Sequence, residues 1–278
     1  MNAILVDVTR CTGCERCADA CVTSHQLDPR QAAHDRAVAK DALSADRWLA
    51  VQRVADGRFA RRSCMHCLEP SCVAACLVGG LTRSPEGPVV YDPTKCIGCR
   101  YCMIACPFQV PRYEWGETRP FVRKCDMCAD RQVHGQPPAC VEACPHEALA
   151  FGDRDGMLAE AHARIARGHG AYRPHVWGEH ELGGTSVIYV SDVPLEALGW
   201  PDASAPPIPQ LTVPLIEKTP AIGLSVATGL LGLNWIVRRR MKLAKEVGDA
   251  GAGAGAACAT QPGGEPDPAA AEEDNREA

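Results

Sequence analysis

Sixteen of the seventeen cysteines in this 278-residue chain fall into four tight groups, and no other feature limits its possible folds as strongly. The groups are Cys11, Cys14, Cys17 and Cys21; Cys64, Cys67, Cys72 and Cys76; Cys96, Cys99, Cys102 and Cys106; and Cys125, Cys128, Cys140 and Cys144. The first and third share the spacing Cys-x2-Cys-x2-Cys-x3-Cys, the second has an x4 gap in its middle, and the fourth an x11 gap. Pro107 and Pro145 follow the last cysteines of the third and fourth groups.

Three cysteines two residues apart wrap a short loop around one face of an iron–sulfur cubane, placing thiolates on three irons and leaving the fourth iron to a ligand from elsewhere. The third group has the bacterial ferredoxin spacing, in which the last cysteine of each run ligates the other cluster, so runs work in pairs. Four runs then imply four [4Fe-4S] clusters. Gly13 and Gly98 lack a Cβ where the backbone is expected to pass close to the inorganic core and aim N–H groups at sulfur. Tetrahedral zinc takes two cysteine pairs with a longer gap between them, a pattern the first and third groups do not have. Disulfide scaffolds do not repeat ferredoxin runs, and the absence of Cys-x2-Cys-His excludes covalent c-type haem by motif.

The length suits two fused ferredoxin-like units plus extra segments. Aromatic residues make up only 5% of the chain, which predicts a core organised around the clusters rather than around large side chains. Of the 34 acidic and 29 basic residues, seven and one lie in 248–278, leaving 27 and 28 in the body. A body so near neutrality has no electrostatic footprint for nucleic acid. Strands are predicted at 4–7, 87–92 and 185–190, a hairpin at 48–62 around Asp56-Gly57, and an amphipathic helix at 155–167 with Met157, Leu158, Ala161 and Ile165 on one face. Residues 22–63 read as an insertion, polar as far as Asp46, and 128–140 as a loop inside a ligand set.

Prolines between 194 and 214 mark an extended linker. The nineteen residues 219–237 then carry no charge, enough as a helix to cross roughly 28 Å of hydrocarbon. Arg238, Arg239, Arg240, Lys242 and Lys245 follow at once, so the positive-inside bias places the C-terminus in the cytoplasm and the cluster domain outside it, with Trp235 at the inner interface. Ala221, Ser225 and Gly229 recur every fourth position, as on helices that pack closely in a membrane. The segment from Gly248 is Gly, Ala, Pro and acid, expected to be disordered, with Cys258 incidental. The expected fold class is α+β: two fused ferredoxin-like units, each with two [4Fe-4S] clusters, and a single C-terminal transmembrane helix. The expected divisions are 1–151 for the clusters, 152–205 for a C-terminal extension, 206–218 for a Pro-rich linker, 219–237 for the membrane helix, and 238–278 for a basic flank and low-complexity tail.

Four runs in this order, with x4 in the second and x11 in the fourth, resemble the electron-transfer β subunits of membrane-bound respiratory oxidoreductases over about residues 3–151. Within that group, residues 100–108, 172–179 and 183–187 are similar to the iron–sulfur subunit of hydrogenase-2-type uptake [NiFe] hydrogenases, and the single C-terminal anchor is shared with that subunit and with the periplasmic formate dehydrogenase β subunit. The resemblance implies that the first run pairs with the fourth and the second with the third. One cluster would take Cys11, Cys14, Cys17 and Cys144, its neighbour Cys125, Cys128, Cys140 and Cys21, another Cys64, Cys67, Cys72 and Cys106, and the last Cys96, Cys99, Cys102 and Cys76. Spacing alone equally allows adjacent runs to pair.

The chain departs from the group at two points. Leu77 stands where a proline commonly follows the second run, which predicts a locally altered turn. A twin-arginine export signal is absent, which leaves carriage by a signal-bearing partner, a start upstream of Met1, or clusters facing the cytoplasm. The resemblance implies a non-catalytic subunit of the bacterial inner membrane. It would relay electrons between a catalytic subunit, a [NiFe] hydrogenase or a molybdopterin formate dehydrogenase, and an integral quinone-reactive subunit in anaerobic respiration. The alternatives are service to another molybdopterin oxidoreductase and a non-conducting structural or sensory cluster module. His66 and His146 lie beside ligand positions, as packing or surface residues or as tuning or proton-relay groups.

Overall fold

The computed structural model describes residues 1–38, 42–118, 120–195, 198–200 and 206–255. Contacts divide the chain into two compact units, Met1–Ile216 and Glu217–Ala278. In chain order the elements are β1 (Asn2–Asp7), α1 (Arg16–Ser24), α2 (Pro29–Val38), β2 (Ala50–Ala55), β3 (Arg58–Arg62), α3 (Ser71–Ala74), β4 (Leu81–Arg83), β5 (Val89–Tyr91) and α4 (Tyr101–Ala105). They continue with β6 (Arg112–Tyr113), β7 (Val122–Arg123), α5 (Ala129–Val133), α6 (Ala139–Glu142), β8 (Leu149–Asp153), α7 (Arg154–Arg167), β9 (Val187–Val190) and α8 (Ile208–Gly255). The protein is thus α+β.

The first unit is organised around β1, the middle strand of a three-stranded sheet, antiparallel to β8 and parallel to β9. Because side chains alternate along a strand, Ile4 and Val6 enter the main core while Ala3 and Leu5 enter a second core beneath α7. The face predicted for α7 is the one that packs there: Ala161 is fully buried, with Met157, Leu158 and Ile165 beside it. The predicted hairpin is β2–β3, with a register shift between Arg53 and Ala55. A third, smaller core joins Leu81, Val89 and Val122 from the two-stranded β4–β5 and β6–β7 hairpins to Cys72 and Cys102.

Asp7 ties the sheet to α7 just ahead of the first cysteine run. Its side chain is wholly buried and accepts hydrogen bonds from Thr9 N (3.1 Å), Thr9 Oγ1 (2.6 Å), Arg164 Nη1 (3.1 Å) and Tyr172 Oη (3.0 Å). Removing one partner of such a buried network costs about 3–5 kcal/mol. Because Arg164 keeps Glu160 at 2.8 Å, Asp7→Ala is expected to cost about 3 kcal/mol, the lower end of that range. A fall in the urea midpoint at unchanged slope would report it.

Four features differ from the sequence-based expectation. Residues 29–38 of the polar insertion form a helix, α2, and the loop within the fourth run contains the short helix α5. A core organised around the clusters rather than around large side chains was expected, yet Phe108, Trp177, Tyr189 and Trp200 form one knot, with ring centroids 4.2 Å apart for Trp177–Trp200 and 4.8 Å for Tyr189–Trp200. Helix α8 begins at Ile208, so residues 208–218 are helical where a linker was expected. Pro209 lies in the first turn, where no intrahelical N–H is required, whereas Pro214 and Pro220 lie inside the helix, each at the cost of a backbone hydrogen bond. Helix also continues through residues 248–255, where disorder was expected; residues 256–278, with Cys258, lie outside the described ones.

In the second unit and the turns leading to it, residues Ile208–Gly248 have the length and composition of a membrane span, with a mean hydropathy of 1.5 over the most apolar window and none of that window buried. A 41-residue helix is about 60 Å long and outlasts a bilayer core of about 30 Å, so the uncharged residues 219–237 mark the segment suited to lipid. Arg239 lies over the Trp235 ring at 5.4 Å, at the predicted inner interface.

Candidate metal centres

The four cysteine runs repeat one local geometry. The residue two after the first cysteine is left-handed in each: Gly13 (φ 75°), His66 (φ 48°), Gly98 (φ 72°) and Met127 (φ 59°). This twist turns the backbone N–H back on the first sulfur, with Gly98 N donating to Cys96 Sγ at 3.4 Å and Met127 N to Cys125 Sγ at 3.3 Å. The glycines are needed for a further reason. A Cβ on Gly13 would lie 2.8 Å from the Phe59 ring, and one on Gly98 2.8 Å from Tyr113 Oη. Gly13→Ala therefore combines left-handed strain of about 1–2 kcal/mol with overpacking of about 1–3 kcal/mol. It is expected to lower the urea midpoint accordingly and to loosen the Cys11 loop, which iron analysis would show.

The last cysteine of the second, third and fourth runs opens a common turn. Gly79 N donates to Cys76 O (3.3 Å), Gln109 N to Cys106 O (3.0 Å) and Glu147 N to Cys144 O (3.4 Å), and all three donor residues are left-handed. Leu77 occupies the place of Pro107 and Pro145 without altering the turn, contrary to expectation. The hydrogen bond and the left-handed residue define it, so proline is dispensable there.

The short helices within the runs pack in pairs, α1 of the first run against α6 of the fourth and α3 of the second against α4 of the third. These contacts bring the sulfurs together across runs. Cys11, Cys14, Cys17 and Cys144 line one cavity, and Cys64, Cys67, Cys72 and Cys106 another. Cys125 and Cys140 have Cys21 as a near neighbour, and Cys140 also has Cys128. Cys102 neighbours Cys76, Cys96 and Cys99. Between quartets, Cys17 is close to Cys140, Cys125 to Cys64, and Cys72 to Cys102. The quartets thus follow one another in the order Cys11, Cys125, Cys64, Cys96, each named by its first cysteine. Cys14 is exposed at one end, whereas Cys21, Cys125, Cys128 and Cys140 are all buried.

The donor sets suit iron–sulfur cubanes. Burial pushes the Cys17 and Cys72 thiols up to about 12 and Cys102 to about 11, with neighbouring sulfurs adding to each shift. Such thiols give up their protons when a metal binds. A lone tetrahedral ion would draw four sulfurs to about 2.3 Å from one point. Four cysteines converging on one cavity, three of them from a single run and the fourth from another, suit a multi-atom inorganic core.

Several polar groups around the quartets left no signal in the sequence. Arg61 Nη2 lies 3.8 Å from Cys125 Sγ and 4.0 Å from Cys140 Sγ. Lys124, also buried, donates to the carbonyls of Val89 and Cys125. His25 Nε2 faces Asp126 Oδ1 at 2.9 Å and Nδ1 faces the Cys21 carbonyl at 3.0 Å, so both nitrogens donate. Burial opposes the charge on His25, but hydrogen bonds to Asp126, Cys128 and Cys21 outweigh it and raise the pKa above the usual histidine range. His66 is wholly buried and accepts a hydrogen bond from Val89 N at 2.9 Å, while His146 is an exposed residue lining the Cys11 cavity.

The 4Fe-4S dicluster domain model matches residues 55–154, which hold the last three runs. The chain is 40% identical over 253 residues to a protein of Nitratidesulfovibrio vulgaris, covering 87% of this chain and 68% of that one. It is 32% identical over 280 residues to the Hydrogenase-2 operon protein HybA of Shigella flexneri, covering 86% and 84%. Similarity to the formate dehydrogenase-O iron–sulfur subunit of Escherichia coli is 36% over 202 residues, covering 68% and 66%.

Proposed function

Since the chain belongs to the family of iron–sulfur electron-transfer subunits that includes the Hydrogenase-2 operon protein and the formate dehydrogenase iron–sulfur subunits, we propose that it relays electrons through four [4Fe-4S] clusters between a catalytic subunit and a quinone-reactive membrane subunit. The observation that carries this reading is the single file of four thiol quartets, in which Cys14 at one end is exposed and the Cys125 quartet is buried throughout. When bound, each cluster supplies a one-electron couple whose potential is set by burial and by hydrogen bonds to its sulfurs.

Each quartet takes three cysteines from one run and the last from its partner: Cys11, Cys14 and Cys17 with Cys144; Cys125, Cys128 and Cys140 with Cys21; Cys64, Cys67 and Cys72 with Cys106; and Cys96, Cys99 and Cys102 with Cys76. The chain itself catalyses nothing; its residues hold, insulate and tune. A [NiFe] hydrogenase is the preferred catalytic partner over a formate dehydrogenase, because the similarity to the hydrogenase-2 protein extends over 86% of this chain against 68% for the formate dehydrogenase subunit. Helix α8 anchors the chain in a bacterial inner membrane, with the basic residues after Val237 cytoplasmic and the cluster domain periplasmic.

The test is anaerobic purification from membranes with partners identified and iron counted. About sixteen irons per chain, reducible through a co-purifying hydrogenase by hydrogen, is the expected result. A molybdopterin partner would replace the hydrogenase assignment, and zinc or redox-inert clusters would refute electron transfer.

A further inference from the structure

Arg61, on β3, is only 1% exposed, yet it forms no salt bridge with a carboxylate among the described residues. Its Nε and Nη1 have no hydrogen-bond partner, and its Nη2 points at the sulfurs of Cys125 and Cys140. The neighbouring Arg62 differs, donating to the carbonyl oxygens of Leu198 and Phe108. A guanidinium stays charged in proteins, and a buried charge needs an opposite one close by. For Arg61 the available counter-charge is the thiolate quartet itself. Arg61 also lines the cavity ringed by Cys11, Cys14, Cys17 and Cys144, so the cation stands between that quartet and the buried Cys125 quartet, in hydrogen-bonding reach of the latter's sulfurs.

A cubane held by four thiolates becomes one charge more negative on reduction. A fixed cation against its sulfurs therefore favours the reduced form, and the effect weakens with distance. We propose that Arg61 is a positioning residue for electron flow: it raises the reduction potential of the cluster held by Cys125, Cys128, Cys140 and Cys21 more than that of the cluster held by Cys11, Cys14, Cys17 and Cys144. Electron transfer from the latter site towards the buried one is thereby favoured. The inference rests on the cluster assignment above.

The experiment is a redox titration followed by electron paramagnetic resonance on the intact complex, comparing the unaltered protein with Arg61→Gln, Arg61→Lys and Tyr189→Phe, with iron per chain measured on each sample. Arg61→Gln is expected to lower the reduction equilibrium constant of one cluster at least tenfold, about 59 mV for a one-electron couple. A second cluster should shift by less and two should not move. Arg61→Lys, which keeps the charge, should recover most of the loss. Tyr189→Phe, which removes only the hydroxyl that donates to the Arg61 carbonyl, should leave every potential in place. Unchanged potentials in a fully loaded Arg61→Gln protein, or equal losses in the Lys and Gln variants, would overturn the proposal.

Should Arg61→Gln lose its cluster, the unaltered protein grown on ¹⁵N-guanidino-arginine decides. A nitrogen coupling on one reduced cluster, absent from Arg61→Lys, is expected, and no coupling refutes the contact. Missing iron in the unaltered protein would instead refute the electron-transfer reading itself.

Discussion

Cys144→Ala is expected to destroy the cluster held by the first cysteine run and to spare the one held by its own run. Cys144 lies with Cys11, Cys14 and Cys17 around one cavity, while Cys125, Cys128 and Cys140 take Cys21 as their fourth neighbour. The cross-pairing follows from α1 packing on α6, which carries the last cysteine of each run into the partner's loop. The discriminating measurement compares the spectra of reduced Cys144→Ala, Cys11→Ala and Cys125→Ala proteins. The first two should lack the same component and the third a different one, with iron falling from about sixteen towards about twelve in each. If Cys144→Ala and Cys125→Ala lost the same component instead, each run would hold its own cluster and the order of the four sites would have to be redrawn.

The candidate ligands stand out in the sequence because iron–sulfur ligation demands fixed covalent spacing, which is a one-dimensional signal. Several elements were legible as well: Ile4 to Asp7 and 185–190 as apolar strands, the 48–62 hairpin from its Asp56-Gly57 turn and the 155–167 helix from its period of 3.6, whereas the sheet strand β8 was not foreseen. Pairing between runs was not legible from spacing, because it depends on which helix packs on which, and x2 and x3 gaps are satisfied by either arrangement.

Arg61 and Arg62 illustrate what periodicity conceals. Successive residues of a strand face opposite sides, yet both arginines are buried, since the hairpin is covered on both faces. Their burial depends on groups far away in sequence, the sulfurs of Cys125 and Cys140 in one case and the carbonyls of Phe108 and Leu198 in the other. His25 and Asp126 meet for the same long-range reason. At the glycines the expectation was half right. Gly13 and Gly98 adopt the left-handed turn that aims N–H groups at sulfur, but their missing Cβ also makes room for Phe59 and Tyr113, which spacing did not foretell.

Ending the chain at Ile216 is expected to convert an integral membrane protein into one released by alkaline carbonate. The cores around β1, under α7 and between the two small hairpins all lie within residues 1–216, so the cluster-bearing unit keeps its burial without the rest. By contrast Leu224, Leu230, Leu231 and Leu233 are each more than half exposed, and covering such a side chain gains about 1.5–3 kcal/mol. Lipid would supply that cover along the uncharged residues 219–237. The unaltered chain should therefore resist carbonate. The shortened one should appear in the soluble fraction with about sixteen irons, or remain on membranes only through partners that carbonate strips away. A shortened chain that still resisted carbonate would mean that the first unit enters the membrane, and that α8 serves contacts with other helices more than anchorage.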